Sequence, residues 1–222
     1  DHYKFILFET RYIQWFWNSF QIAAVVTIIT MVVSVLGAYA ISRLRFFGSR
    51  HFGVGIFCTY LVPPALLFIP FYKVVGLLGL LNTKWCLLFL YPTLTVPFCT
   101  WILIGYFTAI PKALDEAAFV DGATYIQMLT RVFLPVAAPG LIAATLFAFT
   151  VSWAQFLYPL AFIYRDEEKV LTNGIYTTLI RGDVYFWGEL MAGALLASVP
   201  VVILFAFLMD YYIAGLTRGS IK

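Results

Sequence analysis

The stretch DEAAFVDGATYIQMLTRVFLPVAAPG (115–140) gathers three carboxylates, Asp115, Glu116 and Asp121, with Gly122 and Arg131 inside seventeen residues. The types and spacing suit recognition better than catalysis. No nucleophile stands beside a base, and nowhere in the chain do His, Asp and Glu cluster at a catalytic or metal-binding spacing. Glu116 offers a charge to a basic partner. Ala117 and Ala118 are small enough to let another surface come close.

The elements needed to position these residues can be read locally. Pro111 suits the first turn of a helix, where its missing donor would be unpaired anyway. Asp115 and Glu116 follow near that end, where the helix dipole favours negative charge. Leu114, Ala117, Ala118 and Asp121 then share a face. Gly122 tolerates a positive φ and so ends this short helix in a turn. Beyond it, Tyr125, Met128, Leu129, Val132 and Phe133 recur at helical spacing as an apolar stripe. Pro135 opens the next hydrophobic run. The unit is helix, glycine turn, amphipathic helix, span. An amphipathic helix lying on the bilayer would show a similar stripe, but its polar face is normally rich in Lys and Arg. Here Arg131 stands alone in the second helix.

The insert interrupts a chain of a different character. Its 222 residues are 63% hydrophobic and only 11% charged, with a mean hydropathy of +0.92, against about a quarter charged in a soluble domain. Apolar runs long enough for about 30 Å of hydrocarbon recur along it. Five spans are expected: Trp17–Ile41, His51–Tyr72, Trp85–Ile110, Leu134–Tyr158 and Gly188–Tyr212. The fold class is all-α, a polytopic membrane helix bundle, with helical spacing and not the alternation of a barrel. In the second span, LVPPALLFIP must kink or break the helix. The net charge of +3 is too small to argue for nucleic acid.

Cys58, Cys86 and Cys99 read as small apolar core residues, and neither His2 nor His51 looks like a ligand. The balance of Lys and Arg between loops is even and leaves the orientation open. Five spans place the termini on opposite sides, so a further span is expected to precede Asp1. The longest polar loop, 164–187, carries Asp166, Glu167 and Glu168, expected to be solvated or to dock a partner. Asp210 is a carboxylate at the end of the last span, expected at the interface. Trp153, Gln155, Tyr158 and Tyr91 are polar-tipped residues in or beside spans, suited to stacking on and hydrogen-bonding a sugar, or to an aromatic belt.

Glu116-Ala117-Ala118, three residues, Gly122, nine residues, Val132, one residue and Leu134-Pro135 resembles the EAA signature of bacterial ABC import permeases. Val132 stands where that pattern has isoleucine. WFWNSFQIA (15–23), GAYAISRLRFFG (37–48), FLPVAAPGL (133–141) and YYIAGLTRGSIK (211–222) are similar to the MalG-like sugar-permease branch. That branch often has Trp-Asn, an acidic residue and Phe where this chain has SWAQF (152–156).

The resemblance implies a type I ABC importer transmembrane domain in the bacterial inner membrane. Residues 111–133 would be its cytoplasmic coupling-helix loop and 164–187 an external loop. It further implies docking of a partner ATPase by Glu116, Ala117, Ala118, Asp121, Gly122, Tyr125, Met128 and Leu129. The partners implied are an ABC ATPase dimer, a second homologous permease, an extracytoplasmic solute-binding protein and a carbohydrate. No G-x-x-x-x-G-K-[ST] string occurs, so ATP and Mg are expected on the ATPase, with no cofactor and no enzyme activity in this chain. The competing reading, an ATP-independent carrier or channel, predicts charge pairs buried within spans.

Overall fold

The computed structural model describes residues 2–44, 46–181 and 184–220, without the side chains of residues 50, 181, 184 and 210–220. Asp210 and much of the tail motif therefore lie outside the described side chains.

Three helices are long and apolar enough to cross a membrane unbroken: Tyr12–Leu44, Lys84–Ala109 and Trp187–Met209. Two bent pairs bring the total to five if each counts as one span. His51–Tyr60 meets Pro64–Leu77 at 89°, at the Pro63-Pro64 step where a proline ring clashes with the preceding turn. The expected break in LVPPALLFIP is present. Tyr125–Val136 meets Ala138–Ala154 at 82°, so the fourth span begins at Ala138 and not at Leu134. It ends at Ala154, where Gln155 turns extended before the short helix Leu157–Phe162.

Spans one, three and four form the central trio, each packed on the other two. Polar side chains link them where hydrocarbon would leave them unpaired. Thr30 and Thr95 share a buried hydroxyl bond of 2.6 Å, Ser34 donates to the Val96 carbonyl, and the Cys99 thiol lies 3.5 Å from the Ala144 carbonyl. Gly140 allows the tightest crossing in the trio, since a Cβ there would fall 2.4 Å from the Tyr106 ring. Cys86 and Cys99 are buried as expected, whereas Cys58 is exposed on the second span.

The 164–187 segment is more ordered than a polar loop. It holds the helix Leu171–Leu179 and a minimal antiparallel hairpin, Ile180–Arg181 with Val184–Tyr185. Apart from that two-residue pairing the described residues are helices and connections, as the all-α expectation has it. Its acidic trio is paired within the chain: Asp166 with Lys169 at 2.6 Å, Glu167 with Arg11 at 2.9 Å, and Glu168 with the Lys84 backbone N–H at 3.0 Å. The segment runs across the start of the first span. Trp15 Nε1 donates to the Asp166 carbonyl, Asn18 Nδ2 donates to those of Glu167 and Lys169, and Ser19 accepts from Leu171 N–H.

Candidate functional site

Lys112–Val120 forms the first helix of the insert, and Pro111 stands at its N-cap, one residue ahead of the first turn. The helix stops at Gly122, whose φ is 78°. Ala123 N–H reaches the Ala118 carbonyl at 2.9 Å and Gly122 N–H reaches that of Phe119 at 3.0 Å. These paired bonds are a Schellman motif, which requires the left-handed residue that glycine supplies without a Cβ penalty. Two residues later Thr124 starts the next helix with a capping box. Gln127 N–H donates to Thr124 Oγ1 at 3.3 Å, and Thr124 N–H donates to Gln127 Oε1 at 2.8 Å. The T-x-x-Q signature of this box stands in the sequence at Thr124 and Gln127.

The second helix, Tyr125–Met128, widens into a π-turn over Leu129–Phe133. Its apolar stripe divides. Met128, Leu129 and Phe133 are buried against Tyr39, Leu103, Phe107 and Ile110 at the end of spans one and three. Tyr125 points outward. Met128 and Leu129 thus belong to the support of the insert and not to its free surface. A periodic stripe shows that one face is covered, but not what covers it.

The exposed surface of the unit carries Glu116, Ala117, Asp121, Gly122 and Tyr125, while Ala118 is half-buried against the core. Val120 is 88% exposed, Ile126 75% and Tyr125 58%. Two helix ends therefore present large apolar side chains beside two carboxylates, which have no partner among the described residues. Phe119 and Tyr125 meet edge-on at 5.3 Å and brace the tip. An exposed apolar patch rimmed by charge marks a site of contact with a protein or with the membrane.

Asp115 turns the other way. Its Oδ2 lies 3.1 Å from Arg43 Nη1, with the two side chains only 17% and 7% exposed. Arg43 Nη2 also donates to the carbonyls of Phe107, at 2.7 Å, and Ile110, where the third span ends and helix carbonyls run out of intrahelical donors. The guanidinium lies 4.7 Å over the Phe133 ring. One arginine of the first span thus touches the third span and both insert helices. This contact was missed in the sequence. The dipole at the helix start already accounts for Asp115, and Arg43 falls just outside the expected first span, Trp17–Ile41.

The four residues considered for a sugar path do not converge. Tyr91 and Tyr158 are buried in one aromatic cluster with Phe68, Phe71 and Phe162. Gln155 Oε1 accepts from the N–H groups of Phe156 and Leu157, closing the break after the fourth span. Trp153 donates to the Ala197 carbonyl at 3.0 Å and borders a cavity of about 680 Å³ with Phe156, Ile175, Tyr176 and Val201. Only Trp153 of the four lines it.

Residues 33–218 match the family described as binding-protein-dependent transport system inner membrane component. An inner membrane ABC transporter permease protein of Escherichia coli, YcjP, is 32% identical over 211 residues, 95% of this chain and 75% of that protein. The trehalose/maltose transport system permease protein MalG of Thermococcus litoralis is 35% identical over 206 residues, 92% of this chain and 74% of that protein. The fold is similar to a solved bacterial ABC transporter involved in the import of the acidic polysaccharide alginate. The TM-score there is 0.76 at 25% identity, covering 95% of this chain and 79% of that one.

Proposed function

Since the chain belongs to the family of binding-protein-dependent transport system inner membrane components, we propose that it is the permease subunit of an ATP-driven importer for a di- or oligosaccharide. It resides in the inner membrane, as the family does. Its relatives named for trehalose, maltose and maltodextrin transport support the sugar class, and the likeness over 92% and 100% of the chain supports the mechanism. The nucleotide and its Mg belong to a separate ATPase, the delivered sugar to a solute-binding protein, and a second homologous permease completes the pathway. This chain moves its substrate and does not transform it.

In this reading residues 111–133 face the cytoplasm and 164–187 face outward. Glu116, Ala117, Asp121, Gly122 and Tyr125 meet the ATPase, with Ala118, Met128 and Leu129 seating the insert from within. The observation that carries the docking role is the exposed tip of Val120, Tyr125 and Ile126 beside the unpaired Glu116 and Asp121. Trp153, bordering the cavity, is the candidate wall of the sugar path.

Glu116→Lys tests the reading. ATPase recovery with the purified permease should fall severalfold while membrane insertion stays intact. Full recovery with normal uptake would refute docking through this face.

A further inference from the structure

Arg43 is a largely buried charge that contacts the third span and both insert helices. We propose that Arg43 is the joint through which movement of the 111–133 insert reaches the first and third spans. It is a positioning residue for transport, not a docking contact. The inference rests on the reading of the insert as an ATPase dock.

Three observations carry it. Arg43 is too buried to meet a partner, yet it binds Asp115 on the first insert helix, the Phe107 and Ile110 carbonyls on the third span, and the Phe133 ring on the second insert helix. These contacts join the first and third spans to both insert helices through one side chain. Second, Arg43 sits in the π-turn Ala40–Leu44 and Phe133 closes the π-turn Leu129–Phe133. Such widened turns mark places inside helices where function has altered the regular ladder. Third, the network is incomplete: Arg43 Nε and Asp115 Oδ1 are buried without a hydrogen-bond partner among the described residues. A second arrangement of the guanidinium and carboxylate could satisfy them, and a partly satisfied buried network is sensitive to small displacements.

The joint converts a push on the insert into a pull on two spans. Arginine suits the task because its rigid fork holds a carboxylate and two carbonyls at once, whereas a lysine would hold them as a point charge.

The test uses the assembled transporter in proteoliposomes, with its ATPase and binding protein, and measures ATPase recovery, hydrolysis and uptake together. Asp115→Asn preserves shape and removes the charge. It should keep ATPase recovery at the wild-type level and lower uptake per ATP hydrolysed by about tenfold, the scale of coupling between linked sites. Arg43→Lys should lie between it and the wild type. Arg43→Gln combined with Asp115→Asn should be no worse than Arg43→Gln alone, because both remove one joint. An unchanged ratio of uptake to hydrolysis in Asp115→Asn overturns the proposal even if Arg43→Gln fails to fold. Loss of the ATPase from Asp115→Asn overturns it as well, since Asp115 would then be a dock. Failure of the docking reading itself shows separately, as unaltered ATPase recovery in Glu116→Lys.

Discussion

At the Tyr12 end of the first span, Gln14, Trp15, Asn18 and Ser19 hold the 166–171 segment through separate bonds to its backbone. Lys84 Nζ braces the span itself, donating to Asn18 Oδ1 at 2.7 Å and Gln21 Oε1 at 3.0 Å. At the Leu44 end, the charged connection to the insert passes through Arg43 alone among the described residues. The first end is redundant: neutral side chains bonded to backbone groups, with the Lys84 bonds and the Arg11–Glu167 pair beside them. The second is concentrated in one ion with unsatisfied neighbours. A redundant clasp keeps its shape when one bond is lost. A concentrated one can be switched, and it is also easy to break.

Asp115→Lys should produce the largest effect, by placing a second cation against Arg43 where both are mostly buried. An uncompensated buried charge costs about 3–5 kcal/mol, so recovery of folded permease and its thermal stability in detergent should collapse. If this variant is as stable as the wild type, the contrast between the two ends is wrong. Gly174→Val comes next. A Cβ at Gly174 would lie 2.3 Å from the Trp15 ring, and overpacking of this kind costs about 1–3 kcal/mol. Melting should fall by several degrees while uptake per ATP holds, since the damage lies far from the insert. Lys84→Met should be the mildest, about 1 kcal/mol, because Asn18 keeps its bonds to the Glu167 and Lys169 carbonyls. Uptake close to the wild type would sharpen the case for redundancy, and a large loss would show that Lys84 dominates that end.

The parts of the molecule visible in the sequence are those with local causes. Gly122 announces its turn because a left-handed residue is needed there whatever surrounds it. Pro63 and Pro64 announce the break in the second span for a similarly local reason. The Arg43–Asp115 pair depends on three separate elements arriving together, and no window along the chain contains it. Met128 and Leu129 had the periodicity of a docking face but the wrong neighbour. Tyr158 and Gln155 had side chains suited to sugar; one fills an aromatic core and the other caps a helix break. Side-chain chemistry states what a residue can do, and packing decides whether it is free to do it.

The bend at Ala137 gives the insert mechanical leverage. Tyr125–Val136 stands 82° from the span it precedes, nearly crosswise, and at about 1.5 Å per residue it forms an arm roughly 18 Å long. A tilt of about 10° would sweep the Tyr125 tip through roughly 3 Å, on the scale of the ~5.4 Å pitch of a helix. In the proposed importer, a crank of that proportion would turn a small displacement by the ATPase into rotation of the bundle, with Ala137 as its fulcrum.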